Sequence, residues 1–319
     1  MKKIFKVLFK TVLIVIVVLF VTILGLNGLK YVIYNDFYNI SEKVGYNAGL
    51  GESYVPQGVA EFKNEDETWY LTSGYTSNDT PSRVYVISPK NSYYVNIKVS
   101  DHDFTTGHLG GITVSKDKVY IANDGEVYIC NLKDFLKSPD EEKVVRIIES
   151  VSVLVHSSFI FSDIDNKYLY VGEFNNGNEY KTEHIENVND GKDTYYAYVD
   201  VYDLNSFKDK SKPISRYSIR DKVQGFAISN DKIVLSTSFG LASSYFYVYD
   251  LPKEYAHDNV YYLDDSLLVN TIKAPAMAEG LDYDGEKFIT IFESAANKYF
   301  FGKLFNANKI IGLTIWKLN

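Results

Sequence analysis

Residues 279–299 read EGLDYDGEKFITIFESAANKY and contain the clearest copy of a repeated pattern. A Glu-Gly pair opens the stretch and a short apolar strand follows. Asp284-Gly285 then marks a tight turn, and a second apolar strand precedes a polar run. Apolar runs on both sides of an Asp-Gly pair are typical of a β-hairpin. Four earlier segments share this arrangement, so the sequence predicts an all-β fold built from five repeats.

The repeats recur at regular distances along the chain. Their first strands start near residues 58, 111, 158, 225 and 280, separated by 53, 47, 67 and 55 residues. Fourth strands are predicted at residues 94–99, 144–148, 214–219 and 267–272. Four-stranded units at this pitch are typical of a β-propeller, here with five blades; a two-sheet sandwich is the alternative. The last repeat has room for three strands, the third at residues 312–316, so we expect residues 34–44 to supply its fourth.

Composition narrows the function classes. The 28 Tyr and 19 Phe favour β-structure with a substantial core. One cysteine, Cys130, excludes an intrachain disulfide framework, and its alternating surroundings predict a buried strand residue. The net charge is −8, although residues 1–30 contain five lysines and no acid. The rest of the chain therefore carries −8 − 5 = −13. So acidic a body is poorly suited to binding nucleic acid or an anionic membrane surface. The Lys-, Asn- and Tyr-rich, Pro-poor composition is typical of a bacterial protein.

The N-terminus has the pattern of a membrane anchor. Lys2, Lys3, Lys6 and Lys10 precede nineteen uncharged residues, 11–29. At about 1.5 Å per residue this run approaches the hydrocarbon thickness of about 30 Å. We predict a single-pass signal anchor in the cell membrane, with a cytoplasmic N-terminus and an extracytoplasmic body. A cleaved signal peptide is the alternative, but it would have a shorter apolar run and a small-x-small site.

The predicted organisation has three parts. Residues 1–30 form a cytoplasmic stub and the anchor, and residues 31–50 form a juxtamembrane segment with the ring-closing strand. Residues 51–319 form the five-bladed propeller.

Strand direction brings scattered polar residues to one face. In a propeller the first strand of each blade lines the channel and the second returns antiparallel, so residues before strand one and after strand two share one mouth. The candidate binding residues there are Gln57, His108, Asn123, Asp124, His156, Glu173, Gln224, Glu279, Glu293 and Asn297. Lys298 is a candidate charge partner for the glutamates. The competing interpretation is that these side chains form hydrogen bonds with buried backbone groups of the neighbouring blade.

One loop and three histidines lead to further expectations about position. The longest insertion, residues 175–194, falls on the mouth face and has the length of a lid or binding loop. His102, His184 and His257 lie in polar surroundings and are expected at the surface. No metalloprotease, nucleophile-elbow, P-loop or dinucleotide-binding motif occurs.

The entry Glu279-Gly280-Leu281-Asp282 is similar to that of the calcium-dependent lactonase and gluconolactonase-like propellers. That family usually has six blades, and this chain has five repeats. The resemblance implies calcium at the channel, with Glu279, Asn123 and Asp124 as candidate ligands.

Two main functions follow. The first is a membrane-anchored extracytoplasmic propeller that binds a small molecule, a glycan or an envelope protein at the mouth. The alternative is a metal-dependent hydrolase of an ester, lactone or glycan. A scaffold role within an envelope complex is a third class, and whether the chain is an enzyme stays open.

Overall fold

A computed structural model describes residues 2–78, 80–137, 143–305 and 307–317 and shows a five-bladed β-propeller preceded by an apolar helix. The chain starts with helix α1 Lys2–Ile33, helix α2 Asn35–Ile40 and strand β1 Ser41–Tyr46. Residues Ile4–Thr22 of α1 have a mean hydropathy of 2.8 and pack against nothing. Within the described residues, α1 is the one helix long and apolar enough to span a membrane.

The remaining elements follow in chain order. Up to the end of blade 2 they are β2 Tyr54–Asn64, β3 Glu67–Thr76, β4 Arg83–Ile87, β5 Ser92–Lys98, β6 Gly111–Ser115, β7 Lys118–Asn123, β8 Glu126–Asn131, α3 Leu132–Phe135, β9 Val144–Arg146 and β10 Glu149–Ser152. Blade 3 adds β11 Phe159–Ser162, β12 Tyr168–Gly172, β13 Glu186–Val188, the 3₁₀ turn η1 Asn189–Gly191, β14 Asp193–Tyr195, β15 Ala197–Asp203 and β16 Ser215–Ile219. The last two blades contain β17 Val223–Ile228, β18 Lys232–Thr237, β19 Ser244–Asp250, β20 Val260–Tyr262, β21 Leu268–Ala274, β22 Ala278–Tyr283, β23 Phe288–Phe292, η2 Phe301–Phe305, β24 Lys309–Leu313 and η3 Ile315–Lys317.

The first and last strands of the propeller share one sheet. Strand β1 pairs antiparallel with β24, from Ser41 opposite Leu313 to Tyr46 opposite Lys309. Blade 5 therefore consists of β22, β23, β24 and β1 in order from the channel. Its third strand is β24, not residues 312–316, which end in the 3₁₀ turn η3.

The ring-closing strand is shorter than predicted, because residues 35–40 form α2. Phe37 and Ile40, three positions apart, are both buried, which is the spacing of a helix face. The Phe37 ring lies 6.0 Å from the Phe246 ring and 5.7 Å from the Phe292 ring. Aromatic packing between blades 4 and 5 thus selects a helical turn there.

Two blades gain a fifth strand from a neighbouring connection. Strand β9 pairs parallel with β5 and belongs to blade 1, so the prediction that residues 144–148 form the fourth strand of blade 2 is wrong. That strand is β10, which pairs with β8. Val145 is fully buried opposite Ile97. This burial explains why β9 pairs with blade 1 and not with blade 2. Strand β20 joins blade 3 in the same way, parallel to β16.

The glycine that opens most repeats is required by close packing at the channel. The inner strands β2, β6, β11, β17 and β22 form a closed ring in which each contacts the next. A Cβ atom on Gly58 would lie 2.7 Å from Cα of Gly111, and one on Gly280 would lie 2.9 Å from Cα of Gly58. Both distances are shorter than a carbon–carbon contact, so larger residues would separate the blades.

The core lies between adjacent blades and consists of the apolar faces of their strands. Between blades 3 and 4, the Tyr170 and Phe226 rings stack at 5.2 Å and Phe161 packs beside them at 6.4 Å from Phe226. Cys130 is fully buried in β8, and burial, with Asp134 nearby, raises the pKa of its thiol to about 12. The expectation of a buried strand cysteine is confirmed.

Strand direction defines two faces. In blade 5, Ala278 pairs with Phe292 at the end where β22 begins, and Tyr283 pairs with Phe288 at the other end. We call the end at which the inner strands begin the mouth face. The loops after β3, β7, β12, β18 and β23 lie on it.

Candidate functional site

Three inner strands carry a β-bulge at their entry. Pairing shifts register between Pro56 and Gly58, between Val223 and Gly225, and between Ala278 and Leu281. The inserted residues include Gln57, Gln224 and Glu279, all of them predicted mouth residues. A bulge re-aims the side chain of the extra residue, which is how these polar groups reach the channel entry without breaking the strand pattern.

Glu279 and Glu293 form a carboxyl pair at the mouth. Glu279 is 2% exposed and is hydrogen-bonded by the Ser238 side chain. Burial, reinforced by the nearby Glu293 carboxylate, raises the pKa of Glu279 well above its ordinary value. Burial also raises the pKa of Glu293 to about 7, against the opposing effects of its hydrogen bonds and of Lys298. Glu279 therefore favours its protonated form more strongly than a free glutamate does, while Glu293 titrates near pH 7.

A chain of hydrogen bonds extends outward from Glu293. Its Oε2 atom accepts from Gln57 Nε2 at 3.0 Å and from the Tyr299 hydroxyl at 3.2 Å. The Tyr299 and Tyr75 hydroxyls lie 3.3 Å apart. Lys298 Nζ donates to the Tyr75 hydroxyl at 2.5 Å, and it lies 4.6 Å from the Tyr75 ring centroid. Blades 1 and 5 are thus joined by polar contacts around one carboxylate.

His108 completes this group from blade 2. Its ring centroid lies 4.6 Å from that of Tyr75, and its outer side is open to solvent. Desolvation on the packed side, together with the Lys298 ammonium, lowers the pKa of His108, and Asp124 opposes this. The imidazole is therefore neutral at neutral pH. We call Gln57, Tyr75, His108, Glu279, Glu293, Lys298 and Tyr299 the mouth cluster.

The mouth cluster lacks a direct counter-cation. Among the described residues, no lysine, arginine or histidine nitrogen makes an ion pair with Glu279 or Glu293. The ammonium of Lys298 acts on Glu293 only at longer range, because it bonds to Tyr75 instead. Burying carboxylates without a paired charge is unfavourable, which is why the pKa of Glu279 is raised.

Asn123 has another role in the structure. Its Oδ1 atom accepts from Leu109 N at 3.5 Å and its Nδ2 atom donates to the Tyr128 hydroxyl at 3.0 Å. A Cβ atom on Gly107 would lie 2.1 Å from the same Oδ1. The amide therefore holds the loop that presents His108. This is the alternative to ligand binding given above, in which a polar side chain forms hydrogen bonds with nearby backbone groups.

The proposed calcium ligands do not share a common set of contacts. Glu279 bonds to Ser238, Asn123 bonds to the loop before β6, and Asp124 is exposed with a left-handed backbone, φ 46°. In the part of the chain that the structure describes, no three Asp, Glu, His or Cys side chains are grouped closely enough for a metal. These residues do not fit a preformed calcium site, and calcium binding stays a prediction.

Glu173 lies in a separate cluster. It is fully buried and accepts backbone hydrogen bonds from His156 N at 3.3 Å and Tyr198 N at 3.0 Å. Burial raises its pKa to about 7, although these bonds oppose the shift. His184 Nε2 lies 3.2 Å from Oε1 of Glu173, the oxygen that also accepts from Tyr198 N. The His156 side chain is exposed, so His156 reaches Glu173 through its backbone.

The insertion after β12 is ordered by contacts that the sequence does not predict. It contains the hairpin β13–β14, and the Glu186 carboxylate accepts from the Tyr198 hydroxyl, from His257 Nε2 at 2.9 Å and from the Tyr262 hydroxyl at 2.8 Å. Burial opposes ionisation of Glu186, but these three bonds hold its pKa below the ordinary value. His257 is exposed, as expected, although it contacts Glu186. His184 is half-buried against Glu173, so the expectation that it lies at the surface is wrong. Residues 186–188 read Glu-Asn-Val, a sequence without the apolar–polar alternation that predicts a strand.

Two remaining candidates occupy the rim. Asn297 is exposed and donates to the carbonyls of Leu50, through its backbone, and Gly51, through its side chain. It also accepts from Lys303 Nζ at 2.6 Å. Asn297 thus fixes the loop that carries Lys298 and Tyr299. Gln224 is half-buried at the blade 4 bulge.

Comparisons with known proteins assign no family to this chain. No protein-family model matches the chain, and no curated protein matches it. Among solved structures it is similar to Kuenenia stuttgartiensis hydrazine synthase, with 11% identity and a TM-score of 0.39 over 74% of this chain and 61% of that one. It is also similar to a chain of the nidogen/laminin complex, with 8% identity and a TM-score of 0.40 over 75% and 73%.

This chain therefore spans about three fifths of the hydrazine synthase chain. Neither similarity implies a ligand or an activity. Strand topology identifies the chain as a five-bladed β-propeller that follows an apolar N-terminal helix.

Proposed function

We propose that the chain is a membrane-anchored propeller that binds a positively charged group of a small ligand at the mouth cluster. The observation that carries the proposal is the Glu279–Glu293 pair, buried among donors and aromatic rings without a direct ion pair in the described residues. A cation that enters this site supplies the missing charge. The anchor is α1, with the lysine-rich N-terminus in the cytoplasm and the propeller outside.

Contacts of Lys298 at the rim of the site support this proposal. The Lys298 ammonium lies 4.6 Å from the Tyr75 ring centroid and 5.4 Å from that of Tyr299. Tyrosine faces attract cations within about 6 Å. A ligand ammonium that displaced Lys298 would keep both rings and gain Glu293 as a charged acceptor. The exposed lysine can swing away into solvent at little cost.

Cation binding also predicts a change in protonation. A positive charge next to Glu293 favours its carboxylate form, so the ligand releases protons when it binds near neutral pH. Affinity should therefore rise as the pH rises through about 7, the pKa of Glu293. A neutral ligand that uses Glu293 as a hydrogen-bond donor would show the opposite dependence.

The test compares amines with their N-acetylated counterparts, which differ mainly in charge. We expect spermidine or glucosamine, but not acetylspermidine or N-acetylglucosamine, to raise the melting temperature of the full chain in detergent. Glu293→Gln should abolish the shift, and Glu179→Gln, an exposed change in the insertion, should preserve it. The same melting measurement with calcium distinguishes binding of metal ions from binding of organic cations. If neutral ligands stabilise the chain equally, or no cation does, the proposal is wrong.

A hydrolase is the second candidate, because the carboxyl pair suits acid–base chemistry. Glu279, whose pKa is raised well above its ordinary value, lies beside a Glu293 that titrates near pH 7, as in pairs whose environment assigns the acid and base roles. Esters, lactones and glycans are the substrate classes. Turnover lost in both Glu279→Gln and Glu293→Gln, with or without calcium, would favour this activity over binding alone.

A further inference from the structure

We infer that the mouth face of the propeller lies against the lipid bilayer, with two apolar loops inserted at its headgroup boundary. The loops are β18–β19, which carries Phe239 and Leu241, and β23–β24, which carries Phe300 and Phe301. The inference rests on the proposed membrane anchor and adds an orientation and a docking surface to it. The mouth cluster then opens toward the lipid headgroups.

The first observation is where the apolar helix meets the propeller. The C-terminal end of α1 packs against η2, which belongs to the β23–β24 loop on the mouth face. The next residue, Tyr34, places its hydroxyl 3.4 Å from Ser243 Oγ in the β18–β19 loop. Both contacts lie on the mouth face, one in blade 5 and one in blade 4. The helix therefore emerges from the mouth face between these blades.

The connection between helix and propeller is too short to hold the propeller away from a membrane. The uncharged run ends at Leu29, and Lys30 to Ile33 complete α1. Four helical residues extend about 6 Å. Helix α2 then packs at once between the blades through Phe37. If α1 spans the bilayer up to Leu29, loops beside its end lie at headgroup level.

The second observation is the apolar character of these loops. Phe300 is 78% exposed and Phe301 is 65% exposed, while Leu241 is 58% and Phe239 is 48% exposed. Exposed apolar residues grouped in this way mark interaction surfaces. Amphipathic elements bury such groups about 5–10 Å into the interface. Lys222, whose Nζ lies 5.7 Å from the Phe239 ring centroid, can reach lipid phosphates beside them.

Continuity with α1 identifies the bilayer as the occupant, in preference to a protein. Phe239, Leu241, Phe300 and Phe301 lie in the two loops that contact the end of α1 or the residue after it, where its apolar surface would leave the membrane. One lipid phase therefore covers the helix and these side chains. The opposite face provides internal references. Trp69 near the start of β3 and Trp316 in η3 lie there, as does Ile164 in the β11–β12 turn, which is 48% exposed.

The test is depth-dependent fluorescence quenching of the full chain in phosphatidylcholine/phosphatidylglycerol vesicles with brominated acyl chains. Phe300→Trp and Phe239→Trp place reporters on the two loops, and Ile164→Trp is the matched control on the opposite face. All three retain Trp69 and Trp316, which give a constant background. Unchanged thermal unfolding shows that each variant is folded.

We expect the bromolipids to quench the added fluorescence of the two loop variants at least twofold more than that of Ile164→Trp. Equal quenching in a chain that resists carbonate extraction would overturn the docking surface and leave the anchor intact. A chain that carbonate removes from the vesicles would instead refute the anchor, and the docking surface with it.

Discussion

The strongest prediction concerns the pH dependence of stability at Glu293. Its pKa is raised from 4.5 to about 7 in the folded chain. Between these values the folded state retains a proton that the unfolded state has released, so stability falls as pH rises. A pKa difference of this size corresponds to about 3 kcal/mol. This contribution is fully present below pH 4.5 and is lost as the pH rises through about 7.

Glu293→Gln removes this titration. Relative to the parent chain, the variant should gain about 3 kcal/mol in free energy of unfolding between pH 4.5 and pH 8. The gain should be slightly larger because the charge of Glu293 also raises the pKa of Glu279. Guanidinium unfolding of the full chain in detergent, followed by tryptophan fluorescence at four or five pH values, measures the difference.

Glu179→Gln is the control, since Glu179 is exposed in the insertion. Its stability difference from the parent should not change with pH. If the Glu293→Gln difference is equally constant from pH 4.5 to 8, Glu293 is not held out of water and the account of the carboxyl pair fails.

Three further changes test the surroundings of the site. Lys298→Met should raise the pKa of His108 in an NMR titration, because the Lys298 charge lowers it; an unchanged pKa would show that the lysine lies elsewhere. Asn123→Ala should lower the free energy of unfolding by about 1–3 kcal/mol through unpaired partners at Leu109 and Tyr128. Gly280→Ala should destabilise the chain by about 1–3 kcal/mol through the contact with Gly58, whereas Gly51→Ala, with nothing within 4 Å of the added atom, should not.

Much of the fold was predictable because its signals are local. Each hairpin of the inner two strands has its turn residues and its alternation within about fifteen residues, as in residues 279–291. The exchange of β9 into blade 1 has no such signal. Its partner β5 ends 46 residues earlier, at Lys98, and a run such as Val144–Arg146 suits the edge of any sheet.

The site was predictable only where strand direction decides position. Glu279 precedes the main part of an inner strand and Glu293 follows a second strand, and the structure brings the two together. Tyr75 lies near the end of β3, at the mouth face, and could have been found by that argument. Glu186 and His257 lie 71 positions apart, and their contact depends on the course of the insertion.

The pairing of β1 with β24 has a consequence for biosynthesis. Ser41 emerges from the ribosome well before its partner Leu313. About 270 residues separate them, so at roughly 5–20 residues per second β1 waits some 15–50 s for its partner. Blade 5 cannot close in that interval, and an unpaired strand edge invites pairing with other chains. A chain stalled or cut before residue 309 would keep four complete blades around an open seam, so the ring closes only once β24 can pair with β1.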